Sequence, residues 1–483
     1  MVLRLVLGLV LFRTMYQTFN EAQFGFWSLL WSLFGYGLLL DFGFGFTAQK
    51  AVAEKTATRD MEGLNGLLAT IFWTFVAMAV LIVVVFSLIN GVFLTKVGVL
   101  PANHDTFRNA YLIFFAGIAV MFPLGLFPEI LRGRQRVDLA NWVGVGSTLV
   151  NFAGLFTGLK LGWSYPVLMG ISVGTSIIPN LAAMLMAFRL IPGLRLWPSL
   201  FNWRSVKLQL SFSMAAYLIA FSNLLMSKTD QLVLSMTVGV SAVAIYQAGY
   251  KMGEMLELFS VQLQSALSPA AASLGARGDR DGLVELLLRS SRLTFILVTP
   301  CYALTAVYLD GLIRLLTGMK VVPDETFWVG QALILAIYSS QITNSCSKRV
   351  LMMSGHERPL LWISIGDAVL NLVLSVILVR TMGILGVALG TLIATVIAGA
   401  FIVFPLTLSR LSLKFREVIA FHAKGTLLPL GLCFGILGLL LWLAPLDPAA
   451  NSLALLQQLA WRGALATLPV GILSWPILRA MTH

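Results

Sequence analysis

The same landmarks occur twice along this chain, about 220 residues apart and in the same order. Gly63-Leu64, behind Arg59, Asp60 and Glu62, returns as Gly282-Leu283 behind Asp279, Arg280 and Asp281. Arg132-Gly133-Arg134-Gln135-Arg136 returns as Ser354-Gly355-His356-Glu357-Arg358, Trp142 as Trp362, Asn151 as Asn371, and Gly170 as Gly390. A chain written this way is expected to build two like halves in one kind of solvent. That solvent is lipid: with 58% hydrophobic residues, 11% charged residues and a mean hydropathy of +0.88, a soluble protein could not hide so much apolar surface. Two copies of a helical bundle in one membrane are the usual build of a transporter, with the substrate path between the halves.

A bilayer core of about 30 Å takes ~20 helical residues. The apolar runs predict fourteen spans and an all-α integral membrane protein. Six lie near 2–19, 24–49, 64–89, 109–130, 139–159 and 164–188, and six more near 208–235, 240–269, 284–308, 327–347, 360–379 and 384–408. A last pair, near 425–445 and 453–478, stands outside the repeat. The expected division is a six-helix lobe over 1–195, an interfacial linker over 196–207, a second six-helix lobe over 208–410 and an additional helix pair over 411–483. Each half has an even number of spans, so the copies are parallel repeats rather than inverted ones. The first apolar run is short and follows no soluble residues, so the N-terminus is expected to be truncated.

Lys and Arg set the orientation. Alternate loops hold 21 of them, in clusters such as Lys50/Lys55/Arg59, Arg132/Arg134/Arg136 and Arg410/Lys414/Arg416/Lys424, against 6 in the intervening loops. This places both termini in the cytoplasm; the resemblance set out below implies the bacterial cytoplasmic membrane as the location. Positive-inside topology also explains the net charge of +12 without nucleic acid. Cys301, Cys346 and Cys433 each lie within a predicted span, lack metal-ligand spacing and read as small apolar residues. No metal, cofactor or catalytic residue is expected, and no nucleotide-binding loop is present.

Three stretches carry a family likeness. FGFWSLLWSLFGYGLLLDFGFGFTAQKAVAE at 24–54 resembles the second-helix signature of bacterial polysaccharide flippases. The pattern from Asp230 through VGVSAVAIYQAGYKMGEMLELFSVQLQSALSPAAASLG at 238–275 resembles the same proteins, and NLVLSVILVRTMGILGVALGTLIA at 371–394 resembles their eleventh and twelfth helices. These are the O-antigen and exopolysaccharide (Wzx-like) flippases of the multidrug/oligosaccharidyl-lipid/polysaccharide (MOP) exporter superfamily. The resemblance implies a V-shaped molecule of two six-helix lobes around a central cavity that opens alternately to either side. It implies movement of a polyprenyl-diphosphate-linked oligosaccharide between leaflets. Its implied partners are that lipid, membrane lipids, an H⁺ or Na⁺ coupling ion and polysaccharide polymerase or other assembly proteins. The additional pair at 425–478 is a lipid II flippase trait, although the motifs look more like the polysaccharide branch.

A diphosphate needs cations, and a charge inside a span is costly enough to be a functional candidate by default. Lys251 lies deep in the eighth span, and Gln247, Glu254 and Glu257 share its face at three- and four-residue spacing. The face either lines the cavity or seals two helices through a Lys251–Glu254 bridge. Arg13, in the first span, is a cavity contact or a snorkelling residue. Asp41 is a coupling carboxylate or a structural partner; Lys228 and Asp230 are further cavity and coupling candidates, and Asp367 reads as a helix–helix hydrogen-bond partner. Lys348 and Arg349 end the tenth span, where they catch the diphosphate or simply obey positive-inside topology. Two other functions compete. An ion-coupled drug or cation antiporter of the same superfamily would need an acidic, aromatic cavity. A membrane polysaccharide polymerase or ligase would need a larger outward loop than 90–108 and a better acid/base pair than His104 and Asp105.

Overall fold

The computed structural model describes all residues except 1, 39–42, 204–217, 219–220, 223, 226–227, 266, 354–356, 448–449 and 483. The described residues form helices and no strands. They divide into two compact units, Met1–Ala244 and Ile245–His483. Among the described residues five helical stretches are long and apolar enough to cross a bilayer, or seven if each of two sharply bent helix pairs is one span.

The first unit contains α1 (Val2–Thr18), α2 (Glu21–Leu38), α3 (Phe44–Ala57), α4 (Met61–Lys96), α5 (His104–Leu124), α6 (Leu126–Gly133), α7 (Val137–Lys160) and α8 (Tyr165–Leu190). Helix α9 (Val240–Ser265) begins in it. One core packs Phe26, Tyr111 and Phe114 among α2, α4 and α5; a second packs Val52, Leu64, Phe127 and Leu131 where α3, α4 and α6 meet. Elsewhere α4 turns Val80, Leu81, Leu88 and Val92 outward, as a lipid-facing helix does.

The second unit continues with α10 (Leu267–Ala276), α11 (Arg280–Val307), α12 (Leu309–Thr317) and α13 (Asp324–Ser339). A π-helical stretch, Ser340–Ser345, leads into α14 (Cys346–Met353). Next come α15 (Glu357–Val396), which reverses at Gly383, a second π-helical stretch (Ile397–Val403) and α16 (Phe404–Arg410). The unit ends with α17 (Phe415–Ala423), α18 (Leu427–Leu443) and α19 (Ser452–Thr482). Gly383 has φ 59° and ψ −137°, a conformation suited to glycine, and there the chain folds back so closely that a Cβ on Gly386 would lie 2.2 Å from the Leu378 carbonyl oxygen. Ile296, Leu430, Leu437 and Leu455 bind α18 and α19 to α11.

Corresponding positions make corresponding bonds. Asp60 caps α4 by accepting from the Gly63 N–H at 2.9 Å, and Asp279 caps α11 by accepting from the Gly282 N–H at 2.9 Å. Asn151 Nδ2 donates to Thr175 Oγ1 at 2.6 Å, and Asn371 Nδ2 to Thr391 Oγ1 at 2.9 Å. Trp142 and Trp362 are both largely exposed.

Candidate functional site

Helix α9 carries the densest set of expected site residues. Its first turn is fixed by backbone contact: the Val240 N–H donates to the Val97 carbonyl at 2.9 Å, and a Cβ on Gly25 would lie only 1.9 Å from the Val240 carbonyl oxygen. Further along, Lys251 Nζ donates to Glu254 Oε2 at 2.6 Å, with the two side chains 24% and 33% exposed. The pair spans one turn of one face, as the spacing predicts. Gln247 is buried a turn earlier and Glu257 is half-buried a turn later. The rings of Tyr246 and Tyr250 stack beside them at 6.1 Å. The bridge foreseen as one of two readings for this face is therefore formed. It joins neighbours on one helix rather than two helices.

In the first unit a cavity of about 330 Å³ opens beside α6, at the lower end of the ~300–1,000 Å³ usual for small-molecule sites. Pro123 interrupts the hydrogen-bond ladder of α5, and the chain restarts as α6 after Gly125. Helix α6 is strongly amphipathic. It buries Leu126, Phe127, Ile130 and Leu131 and turns Glu129 and Arg132, which hydrogen-bond to each other, into the cavity. Phe34, Phe75, Met121 and Phe122 form apolar walls, and Asn180 adds an amide. In the sequence Arg132 belongs to a positive-inside cluster, and Glu129 is not among the expected site residues. The signal was there in Leu-Phe-Pro-Glu-Ile-Leu-Arg, an acid and a base three residues apart on the polar side of a short amphipathic helix.

The remaining expected residues belong to both units. Arg13 is half-buried on α1. Lys228 lays its stem against the position of Gly35, and its carbonyl accepts from the Ser32 hydroxyl at 3.2 Å. Asp230 is buried. Asp41 lies outside the described residues. Lys348 Nζ stands 4.0 Å from Asp367 Oδ2, the lysine side chain 26% exposed and the carboxylate fully enclosed. Neither Asp367 oxygen accepts a hydrogen bond. Lys348 is thus the counter-ion of a buried carboxylate on α15, while Arg349 follows it on α14. Trp31, a deep aromatic of the second span, packs edge-on against Phe114 at 5.4 Å.

One cation escaped the sequence reading altogether. Arg462, buried on α19, donates to the carbonyls of Ala444 at 2.8 Å and Pro445 at 3.0 Å, just past the end of α18. Its guanidinium also lies 4.8 Å from the Trp461 ring. It closes the C-terminal end of α18, where carbonyls lack intrahelical donors. Among the described residues no three His, Cys, Asp or Glu side chains group as a metal site would.

A family described as polysaccharide biosynthesis protein matches residues 164–323. No curated protein matches the chain by sequence. Among solved structures, the lipid II flippase MurJ in an inward closed conformation is similar at a TM-score of 0.75 and 15% identity, covering 99% of this chain and 98% of that one. An inward-facing multidrug resistance MATE transporter of the MOP superfamily is similar at 0.70 and 14% identity, covering 84% of this chain and 94% of that one. A MOP-superfamily transporter from Pyrococcus furiosus, described as having a binding pocket of reverse polarity, is similar at 0.58 and 14%, covering 85% and 94%. These likenesses agree with the one read from the chain's own residues: it is a multi-pass membrane protein with the fold of the MOP-superfamily transporters, matching polysaccharide-biosynthesis proteins over its central third.

Proposed function

We propose that this protein moves a polyprenyl-diphosphate-linked oligosaccharide across the bacterial cytoplasmic membrane by alternating access. The reading assigns fourteen spans to the helices, arranged as two parallel six-helix halves plus the pair α18 and α19, with both termini cytoplasmic. The matching caps at Asp60 and Asp279 and the matching amide bonds at Asn151 and Asn371 support two halves of like build.

The observation that carries the functional reading is Lys251. It stands near the middle of a 26-residue helix, half-buried, with Glu254 on the same face as its counter-ion. A charge held at that depth has a function by default. An ammonium paired with a carboxylate can exchange it for a diphosphate, which offers more charge and more acceptor oxygens. Gln247 and the Tyr246–Tyr250 stack supply the hydrogen-bonding and aromatic surface that sugars need. Arg132, Arg13 and Lys228 are further contacts on this reading, with Asp230 and Asp41 as carboxylates for an H⁺ or Na⁺ coupling ion. A second reading, export of cationic drugs, is favoured by the Glu129 carboxylate among the aromatic walls of the first unit's cavity.

Proteoliposomes loaded with a polyprenyl-diphosphate oligosaccharide test the two. The wild type is expected to move the lipid between leaflets, and Lys251→Ala to lose at least tenfold in rate while keeping its fold. Arg13→Ala serves as the companion variant. A wild type that moves no such lipid but exports a cationic dye against a gradient would replace the flippase by the antiporter.

A further inference from the structure

We infer that the second unit holds a site for an anionic phospholipid beneath α17, separate from the transport machinery proposed above. Helix α17 is short, lies 63° off the axis of α18, and turns Phe415 outward, 57% exposed. Basic residues precede, enter and follow it: Lys414, Arg416 and Lys424. A basic helix set obliquely to its neighbouring span, with an aromatic ring turned outward, belongs at the level of the lipid headgroups.

Under this helix lies an apolar cavity of about 220 Å³ walled by Leu288, Phe295, Ile342, Leu408 and Ile419. Two contacts clip α17 over it. His422 Nδ1 lies 2.8 Å from the Val418 carbonyl and Nε2 lies 3.0 Å from Ser291 Oγ. The ring thus donates from Nδ1 to its own helix and contacts α11 through Ser291, whose hydroxyl also reaches the Leu288 carbonyl at 3.2 Å. Arg292 donates to the Lys424 carbonyl and sets its guanidinium 5.0 Å from the Phe421 ring. His422 lines this cavity, the Arg292 guanidinium lies close enough to act on that ring, and the exposed Lys424 follows two residues on.

Among the described residues Arg292 forms no ion pair, so its charge is not neutralised by a carboxylate of the protein. The carboxylates nearby are already engaged: Glu285 bridges Arg289 at 2.5 Å, and Glu417 caps the start of α17 through the Lys414 N–H at 3.3 Å. This end of the unit therefore combines positive charge unpaired with carboxylates and an apolar recess whose lining includes His422, next to that charge. A phosphodiester at Arg292 and Lys424, with one acyl chain in the recess, satisfies both at once. A free phosphate would leave the recess empty, and a zwitterionic lipid would set its own cation against Arg292 and Lys424.

The test uses the full chain in a neutral detergent. Thermal stability is followed against phosphatidylglycerol, phosphatidylcholine with the same chains, and soluble glycerol 3-phosphate. Phosphatidylglycerol is expected to stabilise the wild type saturably, with phosphatidylcholine at least severalfold weaker and glycerol 3-phosphate inert. Arg292→Gln is expected to raise the half-saturating phosphatidylglycerol concentration about tenfold, the worth of one charge-assisted hydrogen bond. Should that variant not fold, Lys424→Gln, at an exposed position, and Leu288→Trp, which fills the recess, replace it. The first is to weaken phosphatidylglycerol alone and the second both lipids. Equal response to the two lipids in the wild type, an equal effect of glycerol 3-phosphate, or unchanged affinity in the variants would each overturn the site.

Discussion

Replacing Lys348 with methionine removes the counter-ion from a carboxylate that water does not reach. The two charges stand 4.0 Å apart, a separation worth about 4 kcal/mol at an effective dielectric constant of ~20. The lysine side chain is 26% exposed, so solvent screens part of that attraction; about 2–3 kcal/mol of coupling remains after this discount. The single substitution does more than forfeit the attraction. It strands an anion whose oxygens accept no hydrogen bond, and breaking a buried pair from one side costs ~3–5 kcal/mol. The converse change, Asp367→Leu, leaves a lysine that can extend its ammonium to water, and is expected to cost only ~1 kcal/mol. The double variant Lys348→Met/Asp367→Leu leaves no stranded charge and is expected within ~1 kcal/mol of wild type. Denaturant unfolding in mixed micelles, read by tryptophan fluorescence, completes the cycle. If Lys348→Met costs under ~1 kcal/mol, or Asp367→Leu fails to rescue it, the pair has no such energetic role and the reasoning fails.

Asn151→Ala and Asn371→Ala are expected to destabilise to similar extents, each by ~0.6–1.7 kcal/mol, the range for an interhelical hydrogen bond in a membrane; unequal losses beyond that range in the same unfolding assay would deny them equivalent roles. Gly25→Ala forces α2 away from the Val240 carbonyl, since the added Cβ would stand 1.9 Å from that oxygen. It is expected to lower thermal stability clearly, by ~2 kcal/mol or more, whereas Gly66→Ala, with open space around it, is expected to be neutral or stabilising. Asp60, outside the apolar spans, has its carboxyl held below the usual carboxylate range by the Lys55 ammonium at 2.5 Å and then by the Gly63 N–H. Its folded pKa is depressed, so its contribution is present above the unfolded value of about 4 and fades as pH falls toward the folded one. Asp60→Asn keeps a cap but drops the ion pair, and should flatten the acid limb of a stability–pH profile.

Helix positions were legible wherever the apolar run was long. Windows 64–89, 139–159 and 164–188 fall on α4, α7 and α8, and the expected reversal between 379 and 384 falls at Gly383. Breaks inside helices were not legible. The window 109–130 divides at Pro123–Gly125 into α5 and α6, and 327–347 continues through a π-helical stretch, because neither feature changes average hydropathy. Among the charges, the Lys251–Glu254 pairing was readable because both members share one helix face. The pairing of Lys348 with Asp367 was not, because it joins α14 to α15 and nothing in local spacing records it. Arg462 was missed for a related reason: its hydrogen-bond partners beyond its own helix are backbone carbonyls, which every sequence has.

The π-helical turn at Ser340–Ser345 holds one more residue than an α-helical turn would. It is a store of slack in an otherwise continuous helix. Each residue turns an α-helix by about 100°. Rewinding this stretch to α geometry would therefore rotate α14 by about that angle relative to α13, and would carry Lys348 off Asp367. A single-residue deletion within 340–345 would spend the same slack and leave the facing side chains on either side in register. Elsewhere in the helix such a deletion would turn one face away from its neighbours.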